Sequence, residues 1–243
     1  MVKISLCTTC HNRTYQLRQV FDANIRTLEK NPDVEWVLLN YNSSDNLHEF
    51  ITERLPLLPS RFIYAVDNIP KRWHAGIANN ISHRCANTSS TVLMNLDVDN
   101  LIGNSISVVR ENMVDRGIEL LHNWSGDYHD GTYGRIAMTK EKFYALGGYD
   151  ESFYPMGYQD TDIMNRARAM GSTYLHVNCG NNLAILNSKE DWLVNCKIPG
   201  MTWRDFNRVN KNKSISNIES GKFTVVNDWK EFDVKKTTGN QLA

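Results

Sequence analysis

Short apolar runs alternate with segments of helical period through the first half of the chain. The run KISLCTT (3–9) predicts a strand, after which Leu17, Val20, Phe21, Ile25 and Leu28 recur at helical spacing. VEWVLLN (34–40) predicts a second strand. The following SSDNLHEFITERL (43–55) carries Ser and Asp capping signals and sets Leu47, Phe50, Ile51 and Leu55 on one face. RFIYAV (61–66) predicts a third strand, residues 75–86 a third helix and TVLMNL (91–96) a fourth strand. Alternating strands and helices predict an α/β fold, a mostly parallel sheet flanked by helices. Burial on both faces explains why the strands read as continuous apolar runs. Ligands bind such sheets outside the carboxyl ends of the strands. Thr8–Arg13, Asn40–Asp45 and Asp97–Asp99 therefore fall along one rim.

The second half mixes its signals. GTYGRIAMT (131–139) predicts a strand, KEKFYALGG (140–148) a short helix with a glycine stop, and QDTDIMNRARAMG (159–171) a helix opened by acids and closed by Gly171. Residues 188–220 read as mostly helical, interrupted at Pro199-Gly200, and DVKKTTGNQLA (233–243) is polar and expected to fray. The expected plan is a sheet domain over 1–187, a helical extension packed on it over 188–228, and a flexible tail over 229–243.

Composition narrows the function classes. The chain has 243 residues, 41% hydrophobic and 22% charged, with 27 Lys+Arg balancing 27 Asp+Glu. No overall field draws it to nucleic acid, and no basic cluster exceeds Lys211–Lys213. The start has no signal-peptide pattern and no stretch has the length of a transmembrane helix, so the expected location is cytoplasmic, with any peripheral contact at the inner face of the membrane. Five cysteines, an odd number, are scattered along the sequence. Cys7 and Cys10 form a C-x-x-C, but no second close pair accompanies them, and buried small hydrophobes are the favoured reading.

The fourth strand ends in Asp97-Val98-Asp99. Residues i and i+2 of a strand point to the same side, so both carboxylates are expected to converge. Two ionised carboxylates at the edge of a core repel, and either a proton or a cation must neutralise them. A hard divalent ion with oxygen ligands suits the pair, particularly with a diphosphate completing its shell. The competing reading is a capped strand end with solvated acids.

A second segment, GTYGRIAMTKEKFYALGGYDESFYPMGYQDTDIMNR (131–166), shifts that balance. With D-x-D upstream, it resembles the GT-A nucleotide-sugar glycosyltransferases, in particular the family 2 enzymes and the carboxyl-terminal motif of the β-1,4-galactosyltransferases. The matching steps are Gly134, Lys140–Leu146, Gly147-Gly148-Tyr149-Asp150, Gly157-Tyr158, Gln159-Asp160 and Asn165-Arg166. The resemblance implies a GT-A (Rossmann-like) catalytic domain with a divalent cofactor, Mn2+ or Mg2+. Asp99 would bind the metal directly, and Asp97 would touch it or the ribose. Asp160 would be the general base for the acceptor hydroxyl, at a helix start where the macrodipole favours its ionised form. Thr8, Arg13, Asn40, His74 and Asn79 fall where relatives contact the nucleotide.

The departures matter as much. The two acids expected after the second strand are Asn40 and Tyr41, so UDP is implied without its usual carboxylate. The Glu before the catalytic Asp is Gln159, and Met156-Gly157 stands where relatives place a tryptophan, leaving acceptor contacts to Trp124, Tyr154 or Tyr158. A third metal ligand would be Asn187 or His176. The implied activity is an inverting transfer from a UDP-sugar to a saccharide or lipid-linked saccharide, in surface polysaccharide or oligosaccharide biosynthesis. A non-catalytic nucleotide-sugar or glycan-binding protein on the same scaffold is the alternative. A retaining transferase is disfavoured by the presence of Asp160.

Overall fold

The computed structural model describes residues 1–69, 72–186, 194–227 and 234–239. Its centre is three parallel pairings. β1 (Ile4–Cys10) lies between β2 (Val34–Tyr41) and β4 (Val92–Asn95), and β2 carries β3 (Phe62–Asp67) on its far side. The crossovers are α1 (Thr14–Glu29), α2 (Leu47–Thr52) and α3 (Ala75–Arg84). Every residue of β2 is buried, and its side chains divide between two cores. Trp36 and Leu38 pack with Leu6, Phe21 and Phe62 on one face, Val37 and Leu39 with Ile81 and Ala78 on the other.

The sheet extends past β4 through β6 (Ile136–Thr139), β5 (Leu120–His122) and β7 (Tyr174–His176), giving the order β7-β5-β6-β4-β1-β2-β3. β6 is antiparallel to both β4 and β5, while β5 and β7 are parallel. Between β4 and β5 come α4 (Ser105–Val109) and a wider π-helical stretch, Arg110–Asp115. After β6 come α5 (Lys140–Ala145), α6 (Gln159–Ala169) and α7 (Trp203–Glu219). Thr202 and Asp205 start α7 with a reciprocal capping box. Among the described residues no helix is long and apolar enough to cross a membrane.

Three expectations need correction. The strand expected from residue 131 begins only at Ile136, because Gly131 takes φ +75° and the Asp130 carboxylate accepts the Thr132 N–H at 3.0 Å, closing a turn. Within the expected flexible tail, β8 (Lys235–Thr238) pairs antiparallel with β3 and completes the eight-stranded sheet at that edge. Asp97–Asp99 lie beyond β4, which stops at Asn95, so a turn and not a pleat sets their geometry. The C-x-x-C reading holds for a simple reason. Cys7 and Cys10 are fully buried and pack into different cores, since positions three apart on a strand face opposite sides.

Candidate active site

The aspartate turn is held from below. Leu96 donates its N–H to the Cys7 carbonyl at 3.0 Å, the last link to the sheet, and the Asn100 N–H closes the turn on the Asp97 carbonyl at 3.0 Å. Asn95 Nδ2 donates to Asp97 Oδ1 at 3.0 Å and to the Gly134 carbonyl at 2.9 Å, joining the turn to the loop before β6. Gly134 is pressed against the same carboxylate, and a Cβ there would stand 2.5 Å from Asp97 Oδ2. Asn100 Nδ2 donates to Asp99 Oδ1 at 2.8 Å. Beneath lies Arg135, fully buried. It donates to Asn100 Oδ1 (3.1 Å), to the carbonyls of Leu101 (2.7 Å) and Ile102 (2.8 Å), and to the Ser105 hydroxyl. A guanidinium has enough rigid donors to gather these inward-facing acceptors, which would otherwise be buried unpaired.

Asp160 reaches the same volume from the first turn of α6. The loop leading to it is strained and braced. Tyr158 has φ +68° and Gly157 φ +90°, and a Cβ at Gly157 would lie 3.1 Å from the Asn207 backbone of α7. Asn210 of α7 donates to the Gly157 carbonyl at 2.7 Å and accepts the Tyr154 N–H at 2.8 Å. Behind Asp160, the buried pair Asp162–Arg166 closes at 2.7 Å, and Arg166 also donates to the carbonyls of Leu146 (3.1 Å) and Gly148 (2.8 Å). The Asn165-Arg166 step thus fastens the Gly-Gly-Tyr-Asp loop to α6.

Asp97 lies within electrostatic reach of two other carboxylates, Asp99 and Asp160. Burial is the largest cause raising the Asp97 pKa to about 7, with the charges of Asp99 and then Asp160 adding to it. Burial likewise raises Asp160 to about 6. Its Oδ2 accepts Gln159 Nε2 at 3.4 Å, while its Oδ1 is buried with no hydrogen-bond partner among the described residues. Such an orphaned acceptor is expensive unless something occupies the cleft. Tyr149 lies within reach of both Asp160 and Asp97, its hydroxyl bonded by the Asn79 side chain and its ionisation opposed by burial, Asp160 and Asp97. Asn79 also accepts from the Thr9 hydroxyl at 3.4 Å, which ties it to the end of β1. Among the described residues no three His, Cys, Asp or Glu side chains cluster as a metal cage. The Asp97–Asp99 pair fits a cation that takes its remaining ligands from a bound molecule. Asn187 lies outside the described residues.

The nucleotide-side residues part company. Thr8 is fully buried and its hydroxyl accepts the Trp36 indole N–H at 2.8 Å; Thr9, one position on, is half-buried and bonds Asn79. Asn40 uses both ends internally, donating to the Tyr64 hydroxyl at 2.9 Å and accepting the Ser43 N–H at 2.8 Å. His74 caps α3 by accepting the Ile77 N–H on Nδ1 (3.3 Å) and donates from Nε2 to the Phe153 carbonyl (3.0 Å); burial lowers its pKa. The structure therefore turns Thr8, Asn40 and His74 to structural bonds. Arg13, at the start of α1, donates to Gln16 Oε1 at 3.4 Å and lies near Cys196. Beside it a cavity of about 350 Å³ opens at the carboxyl ends of β1 and β2, lined by His11, Asn12, Asn42, Ser44, Arg72 and Lys197 among others. Asn195 closes it above through bonds to Asn12 (3.1 Å) and the His11 carbonyl (3.3 Å). The rim rule points to the β1 and β2 loops; no sequence signal marks residues 195–197.

Of the residues expected to contact an acceptor, Tyr158 and Gln159 precede Asp160 directly, while Trp124 belongs to an aromatic cavity of about 270 Å³ that Tyr133 also lines. Trp124 stacks on His122 (centroids 5.1 Å apart, planes at 7°) and meets Tyr133 edge-on at 4.9 Å. His122 donates Nε2–H to the Tyr133 carbonyl at 2.7 Å, and burial lowers its pKa to about 4. His176 pairs with His122 across β5 and β7 and bonds the Trp124 carbonyl at 3.1 Å, which assigns it to this cavity. Arg135, Tyr133 and His122 escaped the sequence reading; the phase of β5 and β6 relative to the cleft would have been needed to find them.

No family model and no curated protein sequence matches the chain. Solved structures do match. Glucosyl-3-phosphoglycerate synthase from Mycobacterium tuberculosis, in complex with Mn2+, uridine diphosphate and glucosyl-3-phosphoglycerate, is 15% identical, with a TM-score of 0.61 over 98% of this chain and 87% of that one. The catalytic domain of Drosophila β1,4-galactosyltransferase 7, in complex with xylobiose, is 13% identical, with a TM-score of 0.57 over 86% and 80%. A mannosyltransferase from Pyrobaculum calidifontis, in complex with GDP-Man and Mn2+, is 14% identical, with a TM-score of 0.58; the match covers 72% of this chain and 55% of that one, so this chain spans about half its length. At these identities the likeness establishes architecture, and the chain has the GT-A fold of the nucleotide-sugar glycosyltransferases.

Proposed function

We propose that this chain is an inverting, metal-dependent glycosyltransferase that moves a sugar from a UDP-sugar to a saccharide acceptor. One observation carries the reading: just past the end of β4 Asp97 feels the charges of both Asp99 and Asp160, and Asp160 Oδ1 is buried with no hydrogen-bond partner among the described residues. In the reaction the acceptor oxygen bonds the anomeric carbon opposite the departing diphosphate, and its proton passes to Asp160 Oδ1. Attack from that side inverts the configuration. Asp97 and Asp99 would hold Mn2+ or Mg2+, which supplies positive charge for the leaving diphosphate. The nucleotide occupies the rim cavity, where Arg72 and Lys197 suit an anion and the His11–Asn12 and Asn42–Ser44 loops take over the base reading that Asn40 does not perform. Solved relatives in complex with Mn2+ and either uridine diphosphate or GDP-Man support a nucleotide-sugar donor. The expected setting is cytoplasmic assembly of a surface polysaccharide or oligosaccharide, on a free or lipid-linked acceptor.

The test is a panel of nucleotide sugars assayed with Mn2+ for slow hydrolysis in the absence of acceptor. Selective release of UDP, lost in Asp99→Ala, is the expected result; release from no donor, or release indifferent to Mn2+, refutes the reading.

A further inference from the structure

The aromatic cavity runs along one face of α6, beginning at Thr161, the residue after Asp160. Thr161, Asn165 and Arg168 line it, at helical spacings of four and three that keep them on one side. Tyr133 forms the threshold. Its hydroxyl bonds Thr161 Oγ1 at 2.9 Å, and its own ionisation is opposed chiefly by burial, with the charge of Asp160 adding to it. Arg168 lies eight residues beyond Asp160, about 12 Å along the helix at 1.5 Å per residue. That distance exceeds a single pyranose ring. Among the described residues that line the cavity none is acidic, and Arg168 is the permanent cation. Its guanidinium sits 5.1 Å from the Tyr174 ring centroid, a contact that leaves N–H edges for an anion. The imidazoles do not compete for it, because His122 and His176 bond the carbonyls of Tyr133 and Trp124.

We propose that this cavity is an acceptor track for an oligosaccharide of at least two sugar rings bearing a carboxylate or phosphate, which Arg168 reads at the far end. The ring that receives the transferred sugar sits beside Asp160, and the next ring stacks within the aromatic walls. The naming of the near end rests on the transferase reading; the acidic track itself does not.

The test applies the labelled full chain, with UDP and Mn2+ present, to a broad glycan array. The array spans neutral, uronic-acid-bearing and phosphorylated sugars of one to several rings, with methyl esters of the uronic acids. Retention of acidic oligosaccharides over their esterified or neutral counterparts is expected, and the uronate and phosphate arms tell the two anions apart. Arg168→Gln should weaken that retention by at least about tenfold, with partial recovery in Arg168→Lys; unchanged thermal melting confirms that the variants fold. Equal retention of neutral glycans, preference for single sugars, no retention, or indifference to Arg168→Gln each overturns the proposal. Donor hydrolysis reports separately. Its absence with acid-selective retention intact removes the transferase reading and leaves the track standing.

Discussion

Gly134 and Asp97 meet so closely that a single methyl group on the glycine would stand 2.5 Å from the carboxylate oxygen. The contact explains why the loop before β6 carries no side chain where it passes the aspartate turn. Asn95 bonds both partners, so a shift of the carboxylate would strain the contact that joins them.

Gly134→Ala is accordingly expected to displace Asp97 and to cost about 1–3 kcal/mol of stability through overpacking. Mn2+-dependent UDP affinity, read by titration calorimetry, should fall at least about tenfold while the far-UV spectrum stays native. Unchanged affinity would show that the carboxylate position is immaterial to binding.

Asp160→Asn keeps the shape of the side chain and removes its basicity. Turnover is expected to fall roughly 10²–10⁴-fold, the usual contribution of a positioned proton acceptor, with UDP affinity nearly intact. A parallel loss of nucleotide binding would make Asp160 a structural residue.

Asp162 and Arg166 are buried at 1% and 0% side-chain exposure, and Arg166 also bonds the carbonyls of Leu146 and Gly148 in the loop after α5. Asp162→Ala leaves the guanidinium uncompensated and should destabilise the fold by about 3–5 kcal/mol. Urea denaturation measures it. A loss below about 1 kcal/mol would mean that the loop carbonyls alone satisfy Arg166.

These residues mark what the sequence discloses about the site. Asp97, Asp99 and Asp160 stand out in sequence because their spacing and the glycine-rich motif between them suit the proposed chemistry, and the structure brings the charges of Asp99 and Asp160 to bear on Asp97. The burial of Thr8 is not legible, since a strand alternates faces and pattern alone does not fix which of Thr8 and Thr9 bonds into the core through Trp36. Asn40 and His74 sit at positions that suit a ligand, yet their hydrogen bonds are set by Tyr64, Ser43 and Phe153, partners distant in sequence or invisible to pattern. β8 is polar throughout and pairs with β3 from far along the chain, so neither alternation nor hydrophobicity announces it. The aromatic cavity arises from β5, β7 and α6 meeting, a tertiary event without a local signature.

His83 gives the pH dependence. It is 3% exposed, donates Nδ1–H to the Asn79 carbonyl at 2.7 Å and stacks on Phe143 at 4.9 Å, with burial lowering its pKa from 6.5 to about 4. The unfolded chain takes up a proton as pH falls through 6.5, whereas the folded protein resists until about 4. Stability attributable to His83 is therefore intact above pH 6.5 and falls between there and pH 4, by on the order of 3 kcal/mol. Asp97 and Asp160, whose pKa values are raised, act in the opposite sense, binding protons more readily folded than unfolded. The measurement is thus the difference between wild type and His83→Asn, which keeps a donor near Nδ1 without the titration. Urea midpoints taken from pH 7.5 to 4.5 should converge as the pH falls, because only the wild type pays for a neutral imidazole. Parallel profiles would show that His83 takes up its proton in the fold as readily as in the unfolded chain, so that burial does not hold it neutral.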